Sequence, residues 1–300
     1  MNRELSYHIM ECDSRKTIRD FLKEQGFSRQ ILIHLKQNPE CVRLNGIPVF
    51  LNSVLKTGDR LNVVLVEQET SAIPPASADE LKIIYEDEDI LAINKPSGLP
   101  IHPSIHHYTD TLANQVMGYY QSQGLPFVFR CINRLDRDTT GLTLIAKNLL
   151  SSCVLSEQVR TKQLQRTYLA LAYGQLPNEG VISAPIARSS DSIITRIVDF
   201  ERGQSAVTTF KTLAYYEPLS FLSLQLLTGR THQIRVHLKH FGTPLIGDSL
   251  YAPEYMLMER QALHSSQLSF IHPVTKKEMQ LTAPLPLDMQ RLFPWFSDVL

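Results

Sequence analysis

Beyond residue 80 the chain holds six short runs that suit strands, LKIIY, ILAIN, LTLIA, TYLALAY, SAVTTFKTLAYY and FLSLQLL, but helical patterns only near residues 110–121, 148–163 and 231–241. Strands outnumber helices and do not alternate with them. A doubly wound parallel sheet needs a crossover helix between successive strands, so this order points instead to an α+β domain with a mixed, largely antiparallel sheet and flanking helices.

The first seventy residues follow a different pattern. Ile18, Phe21 and Leu22 stand at helical spacing before Gly26, and Ser28 is placed to cap a second helix carrying Ile31, Leu32 and Leu35. Asn45-Gly46 is a hairpin-turn signal, and DRLNVVLV has the β-branched content of a strand. Residues 1–70 therefore read as a small αα-ββ module. QETSAIPPASAD, with tandem prolines and no periodicity, reads as a linker over 71–79, which leaves 80–300 as the larger domain.

Composition narrows the function. The four cysteines form no CxxC pair, so neither a zinc site nor a disulfide framework is indicated. Thirty Lys and Arg against thirty Asp and Glu give a formal net charge of zero, so any binding of nucleic acid must rest on local charge. MNRELSYHIMECDS lacks the basic and apolar regions of a signal peptide, and no run is apolar enough to span a bilayer, which makes a cytoplasmic protein without membrane contact the expectation. No heptad is present, and a monomer is expected. Walker, GxGxxG, HExxH, GxSxG and zinc-deaminase motifs are missing; no cofactor or metal is expected, and the histidines at 102, 106 and 107 lack acidic or cysteine ligands at suitable spacing.

Three polar clusters interrupt the apolar sequence: NRLDRDTTG at 133–141, RTYLALAYG at 166–174 and GRTHQIRVH at 229–237. The first crowds Arg134, Asp136, Arg137 and Asp138 onto a loop leading into the strand LTLIA, where either a catalytic group or a solvated turn would fit. In the third, Thr231 could cap a helix with Ile234, Leu238 and Phe241 on its buried side, leaving Arg230 and Arg235 for a phosphate or a buried carboxylate. The segment from Phe129 to Arg166 is more basic than acidic, and GRTHQIRVHLKH contains no acid.

Together these clusters resemble the large-ribosomal-subunit branch of the pseudouridine synthases, the RluA/RluC/RluD-like family, whose motif reads approximately HRLDxxTSG followed by a tyrosine strand and GRxHQIRxH. The likeness extends through KPSGLPIHPS at 95–104, LIGDSLY at 245–251 and LHSSQLSFIHP at 263–273. It implies isomerisation of specific uridines to pseudouridine in structured RNA, with the N-terminal module as a divergent S4-like RNA-binding domain. It also implies roles: Asp136 as nucleophile, Tyr168 beside the target base, and Arg235 as the basic partner of the aspartate. Each role has a physical reason. An ionised carboxylate attacks the ring or the ribose C1′, a guanidinium offsets the cost of enclosing that charge, and a tyrosine stacks on the base and assists proton movement.

A folded RNA hides its bases, so the target must be flipped out; Arg134 is the candidate to fill the vacancy, with Arg137, Arg230 and His232 contacting phosphates. Asn133 and Thr140 depart from the family's histidine and serine but keep hydrogen-bonding capacity. Large-subunit ribosomal RNA is the expected substrate. Transfer RNA, or a catalytically silent assembly factor, remains open at this level.

Overall fold

The computed structural model describes residues 2–78 and 81–292. The boundary drawn at residues 79 and 80, and residues 293–300 at the end of the larger domain, lie outside the described residues. Among the described residues no helix is long and apolar enough to cross a membrane.

The chain begins with β1 (Asn2–His8), α1 (Ile18–Glu24), α2 (Arg29–Gln37), β2 (Val42–Leu44), β3 (Ile47–Pro48) and β4 (Arg60–Val66), whose strands form an antiparallel sheet in the order β1-β4-β2-β3. Each helix starts at a hydroxyl that accepts a backbone N–H, Thr17 from Asp20 and Ser28 from Ile31. Their apolar faces close on one core with Leu61, Val63 and Leu65. Asn45 and Gly46 take φ of 53° and 83°, the left-handed pair that a two-residue hairpin requires. β1 goes beyond the αα-ββ reading: burial alternates along NRELSYH, but Leu5 is the one aliphatic residue among the inward-facing Arg3, Leu5 and Tyr7, so the sequence carries little period-2 signal, and pairing with β4 along its whole length defines the strand.

The larger unit continues with β5 (Ile83–Glu86), β6 (Ile90–Lys95), α3 (Leu112–Ser122), β7 (Thr140–Ala146), α4 (Leu149–Arg160), β8 (Gln165–Tyr173), β9 (Glu179–Ser183), β10 (Ile186–Arg188), β11 (Arg196–Val198), β12 (Val207–Tyr216), β13 (Leu219–Leu226), α5 (Gln233–His240), β14 (Leu263–Ile271), β15 (Glu278–Thr282) and α6 (Leu287–Leu292). Nine of these strands make one sheet in the order β5-β6-β7-β14-β8-β13-β12-β9, with β15 paired to β14; β10 and β11 form a separate ribbon. The expected α+β fold with a mixed, largely antiparallel sheet is present. Alternation along the strands builds its layers: Leu91 and Ile93 pack toward α3 while Ile90 and Ala92 pack toward α4. On β8, Tyr168, Ala170 and Ala172 face α5, and Leu169 and Leu171 face α6.

Two halves of the sheet meet at β7 and β14, the parallel pair, through only His264↔Thr140 and Ser265↔Gly141. Immediately beyond, the register of β14 against β8 shifts between Ser265 and Gln267, and β15 replaces β7 on the free edge. A bulge at such a point bends the strand and re-aims neighbouring side chains; here it lies opposite Tyr168 and next to the loop that carries Asp136. Gly141 permits the junction. Its φ is +106°, and a Cβ would lie 2.2 Å from the Ser265 carbonyl oxygen. Gly141→Ala should therefore lower stability by roughly 2–3 kcal/mol, combining left-handed strain with backbone overlap; urea denaturation checks this, and an unchanged midpoint would show that the junction yields easily.

The N-terminal module is fastened to the larger unit. Arg3 forms a two-pronged ion pair with Asp89 at 2.9 Å on each arm, and Glu67 binds both Arg130 and the Leu149 N–H. Leu150, in the first turn of α4, is buried in the N-terminal core, whereas Leu155 of the same helix belongs to the core under β6 and β7. One helix thus serves both cores. Residues 71–78 also lie against α3, with the Ala76 N–H donating to the Asn114 carbonyl and the Asn114 amide to the Pro74 carbonyl.

Candidate active site

The loop before β7 is held from several directions. The Asn133 amide donates to the Leu142 carbonyl at 2.9 Å and its Oδ1 accepts the Leu144 N–H at 2.8 Å, tying the loop to β7. Thr140 meets His264 Nδ1 at 2.9 Å across the sheet junction. Both departures from the family pattern are thus fully engaged in hydrogen bonds. From the end of β6, the buried Lys95 ammonium donates to the carbonyls of Pro96, Leu99 and Arg137 at 2.8, 2.9 and 2.7 Å. Burial pushes Lys95 down to about 7, against the pull of Asp138 and Asp136, while the three carbonyls match the three protons of its charged form.

Asp136 projects from this loop, about a quarter exposed, and Arg235 Nη1 donates to its Oδ2 at 3.1 Å. The remaining edge of the guanidinium is taken by Asp248: Nε reaches Oδ2 at 2.7 Å and Nη2 reaches Oδ1 at 2.8 Å. Asp248 is fully buried and also accepts the N–H groups of Leu250 and Tyr251. Burial alone would lower the basicity of Arg235, but the two aspartates carry it above its ordinary value. Arg235 therefore meets a buried carboxylate on one side and the partly exposed Asp136 on the other, and its planar fork suits that double task.

The start of α5 differs from the expected Thr231 cap. His232 is the N-cap residue, in the left-handed region at φ 56° and without a capping side chain; Gln233 Oε1 instead accepts from the Thr228 hydroxyl and the Arg230 N–H. Thr231 stands one residue too early. Phe241, expected on the buried side, is 43% exposed, while Ile234 and Leu238 are buried. The His232 Nδ1 lies 2.8 Å from the Tyr251 hydroxyl and its Nε2 3.9 Å from Asp136, so the ring is turned inward, and burial lowers its basicity.

Tyr168 is buried, and desolvation, reinforced by nearby Asp136, raises its phenol above the ordinary value. Together with Asp136, Arg134 and Arg230 it lines two adjoining cavities. The smaller, of about 50 Å³, also contacts His232 and Arg235; the larger, of about 580 Å³, also contacts His102 and Arg166. Arg134 and Arg230 are exposed at these walls. Arg137 points elsewhere into solvent, paired with Asp138 at 2.9 Å. Asp136, Tyr168, Arg235, Arg134, Arg230 and His232 are thus brought together; Arg137 is not a wall residue. Asp248, Lys95 and Arg166 escaped the residue-by-residue reading. Asp248 and Lys95 do fall in the quoted LIGDSLY and KPSG stretches, but a buried charge declares its partner only when the fold is known.

Among the described residues, Asp87, Asp89 and His272 form a group close enough to hold a metal ion. Its ligand atoms already have protein partners. Asp89 binds Arg3 and Asn148, and Asp87 accepts from Tyr85, from the Asp89 and Ile90 N–H groups and from His272. His272 Nδ1 accepts backbone N–H groups of Val274 and Thr275, which leaves Nε2 to donate to Asp87. This group works as a brace between the modules.

The family described as RNA pseudouridylate synthase matches residues 89–240. A Bacillus subtilis protein designated the uncharacterized RNA pseudouridine synthase YjbO is 40% identical over 277 residues, covering 92% of this chain and 98% of that protein. Ribosomal large subunit pseudouridine synthase D of Xanthomonas campestris is 34% identical over 266 residues, 83% of this chain and 79% of its own. Among solved structures, human RNA pseudouridylate synthase domain containing 4 superimposes with a TM-score of 0.57 at 26% identity, over 71% of this chain and 92% of that one.

Proposed function

The chain belongs to the RNA pseudouridylate synthase family and is an isomerase acting on RNA, and we propose that its target is uridine in large-subunit ribosomal RNA, with Asp136 as the nucleophile. The observation that carries this reading is the Asp136 carboxylate, held by Arg235 and facing a cavity walled by Tyr168. The isomerisation breaks the C1′–N1 bond, turns the uracil and forms C1′–C5. N1 gains a proton and C5 releases one to solvent, so no oxidant, reductant or co-substrate is consumed. Asp136 supplies the attacking oxygen, at the ring or at C1′, and leaves unchanged. Arg235 keeps that oxygen oriented, and Asp248 keeps Arg235 in place.

Delivery of the base requires flipping, at a cost of roughly a few kcal/mol. Arg134, exposed at the cavity wall two residues before the nucleophile, fills the vacated place in the RNA. Arg230 and Arg137 contact phosphates, and His232, neutral and beside Asp136, contacts the target nucleotide. Residues 1–70 act as an S4-like RNA-binding module on a monomeric protein, joined to the catalytic domain by the linker at 71–79. Support for ribosomal over transfer RNA comes from relatives named for the ribosomal large subunit.

Tyr168 stacks on the base and moves a proton late in the reaction. Because its phenol lies above the ordinary value of 10.0, it stays protonated through neutral and mildly alkaline pH, and turnover should not fall between about pH 7 and 9 through this group. Tyr168→Phe keeps the ring and should lower kcat about 10²-fold with little change in KM; an unchanged kcat would remove the hydroxyl from the chemistry. The proposal as a whole is tested by tritium release from ribosomal RNA labelled at uracil C5 and purified from cells lacking the gene. Release, with pseudouridine mapped in that RNA, supports the reading; release only from transfer RNA overturns the substrate.

A further inference from the structure

Arg166 has no part in the chemistry described so far, yet it lines the larger cavity with Asp136 and Tyr168. It stands two residues before Tyr168 on β8. Alternation puts both side chains on one face of the strand, roughly 7 Å apart. Its Nε has no hydrogen-bond partner and is covered by protein, so an acceptor supplied by a ligand in the cavity would meet the terminal Nη groups. Gly229 lies directly against the head group and leaves room for it: a Cβ there would stand 3.1 Å from Arg166 Nη1.

The layout of the cavities indicates what the acceptor is. Asp136 and Tyr168 line both cavities, whereas Arg235 and His232 line only the smaller one and Arg166 only the larger one. A nucleotide whose base and C1′ lie against Asp136 and Tyr168 has the larger cavity available for its sugar-phosphate backbone. The walls of the larger cavity offer three guanidiniums, Arg134, Arg166 and Arg230, and a single carboxylate, that of Asp136, which is already paired with Arg235. Arg134 and Arg230 are exposed, and Arg230 Nε is engaged with the Ser205 carbonyl at 3.1 Å. Arg166 alone combines a position adjoining the catalytic strand residue with a buried donor lacking an acceptor.

We propose that Arg166 binds a phosphodiester flanking the flipped uridine, anchoring the nucleotide backbone while its base lies against Asp136 and Tyr168. The inference rests on the reading that the Asp136 cavity receives the target base. An arginine can direct two parallel N–H groups at one phosphate, so it fixes both the position and the orientation of the nucleotide. It acts on every target alike and carries no sequence information.

Phosphate-ethylation interference on ribosomal RNA tests this. RNA ethylated about once per molecule is bound to the full-length wild type, Arg166→Gln, Arg166→Lys and Asp136→Asn proteins, and the phosphates whose ethylation blocks binding are mapped against the pseudouridine formed by the wild type. The wild type should show interference at a phosphate immediately flanking the modified uridine, and Arg166→Gln should lose that position while keeping the others. Arg166→Lys should retain it in part, and the salt slope of log Kd should fall by about one contact in Arg166→Gln. An interference pattern and salt slope in Arg166→Gln identical to those of the wild type overturn the proposal. So does a normal pattern with lowered kcat, which would place Arg166 at the base. Asp136→Asn should bind with the full wild-type pattern but form no pseudouridine; if it still forms pseudouridine, the reading of Asp136 fails whether or not Arg166 touches a phosphate. Should Arg166→Gln fail to fold, Arg166→Lys with unaltered interference and unaltered affinity counts against the phosphate contact, because an ammonium cannot reproduce the two-pronged geometry.

Discussion

Asp136→Asn is expected to abolish pseudouridine formation, by about 10⁴-fold or more in kcat, while leaving the melting temperature within about 2 °C of the wild type. The size of the first effect follows from the role: removing a covalent nucleophile takes away the step itself, and the remaining binding groups recover little of it. The smallness of the second follows from the surroundings. Asp136 is about a quarter exposed and accepts one ion-pair hydrogen bond, from an arginine whose main partner is another carboxylate. An asparagine can still accept the Arg235 Nη1 proton through its carbonyl oxygen, so the loop retains its anchors at Asn133, Thr140 and Lys95. Tritium release from C5-labelled RNA, run beside a thermal melt, measures both. Turnover within tenfold of the wild type would exclude the carboxylate as nucleophile; a collapse in melting temperature would mean that the lost activity reflects folding.

How far the sequence revealed this arrangement depended on how local the cause was. The hairpin at Asn45-Gly46, the helix capped by Ser28 and the apolar strands β6, β7 and β8 follow from residues that carry their own conformational signal. The strand β14 was harder to see: LHSSQLSFI directs His264 and Ser265 into buried hydrogen bonds at the sheet junction, which masks the period-2 apolar pattern. β9 and β15 are five-residue strands with one buried position each, too short for periodicity to register. The motif segments indicated Asp136, Tyr168 and Arg235, and the fold brings all three to the adjoining cavities. Non-local partners were not legible. Arg235 could have met a phosphate or a buried carboxylate, and only the return of the chain through LIGDSLY placed Asp248 against it, 13 residues downstream. The inward turn of His232 likewise depends on a left-handed backbone that a histidine does not announce.

Asp248 should behave in the opposite way to Asp136, although the same guanidinium touches both. Asp248→Asn is expected to lower stability by about 3–5 kcal/mol, because it leaves the buried Arg235 charge without its two-pronged partner. In a chain of this size that corresponds to a fall in melting temperature of roughly 10 °C. The asparagine Oδ1 still accepts the Leu250 and Tyr251 N–H groups, so the loss reflects the uncompensated charge more than the turn. Pairing the change with Arg235→Met separates stability from function. A buried ion pair replaced by groups of similar volume is often neutral, so the double variant should regain most of the lost stability. It should nonetheless remain inactive, since Asp136 has then lost the cation that orients it. Denaturant unfolding and tritium release on the wild type, both single variants and the double variant complete the cycle. If the double variant were stable and active, the Arg235 pairing would be scaffolding alone; if Asp248→Asn melted with the wild type, the charge inside the fold would be compensated by something other than Asp248. The expected split places the cost of burying Arg235 on the fold and its benefit on the reaction, which gives a physical reason for keeping an ion pair that apolar side chains could replace.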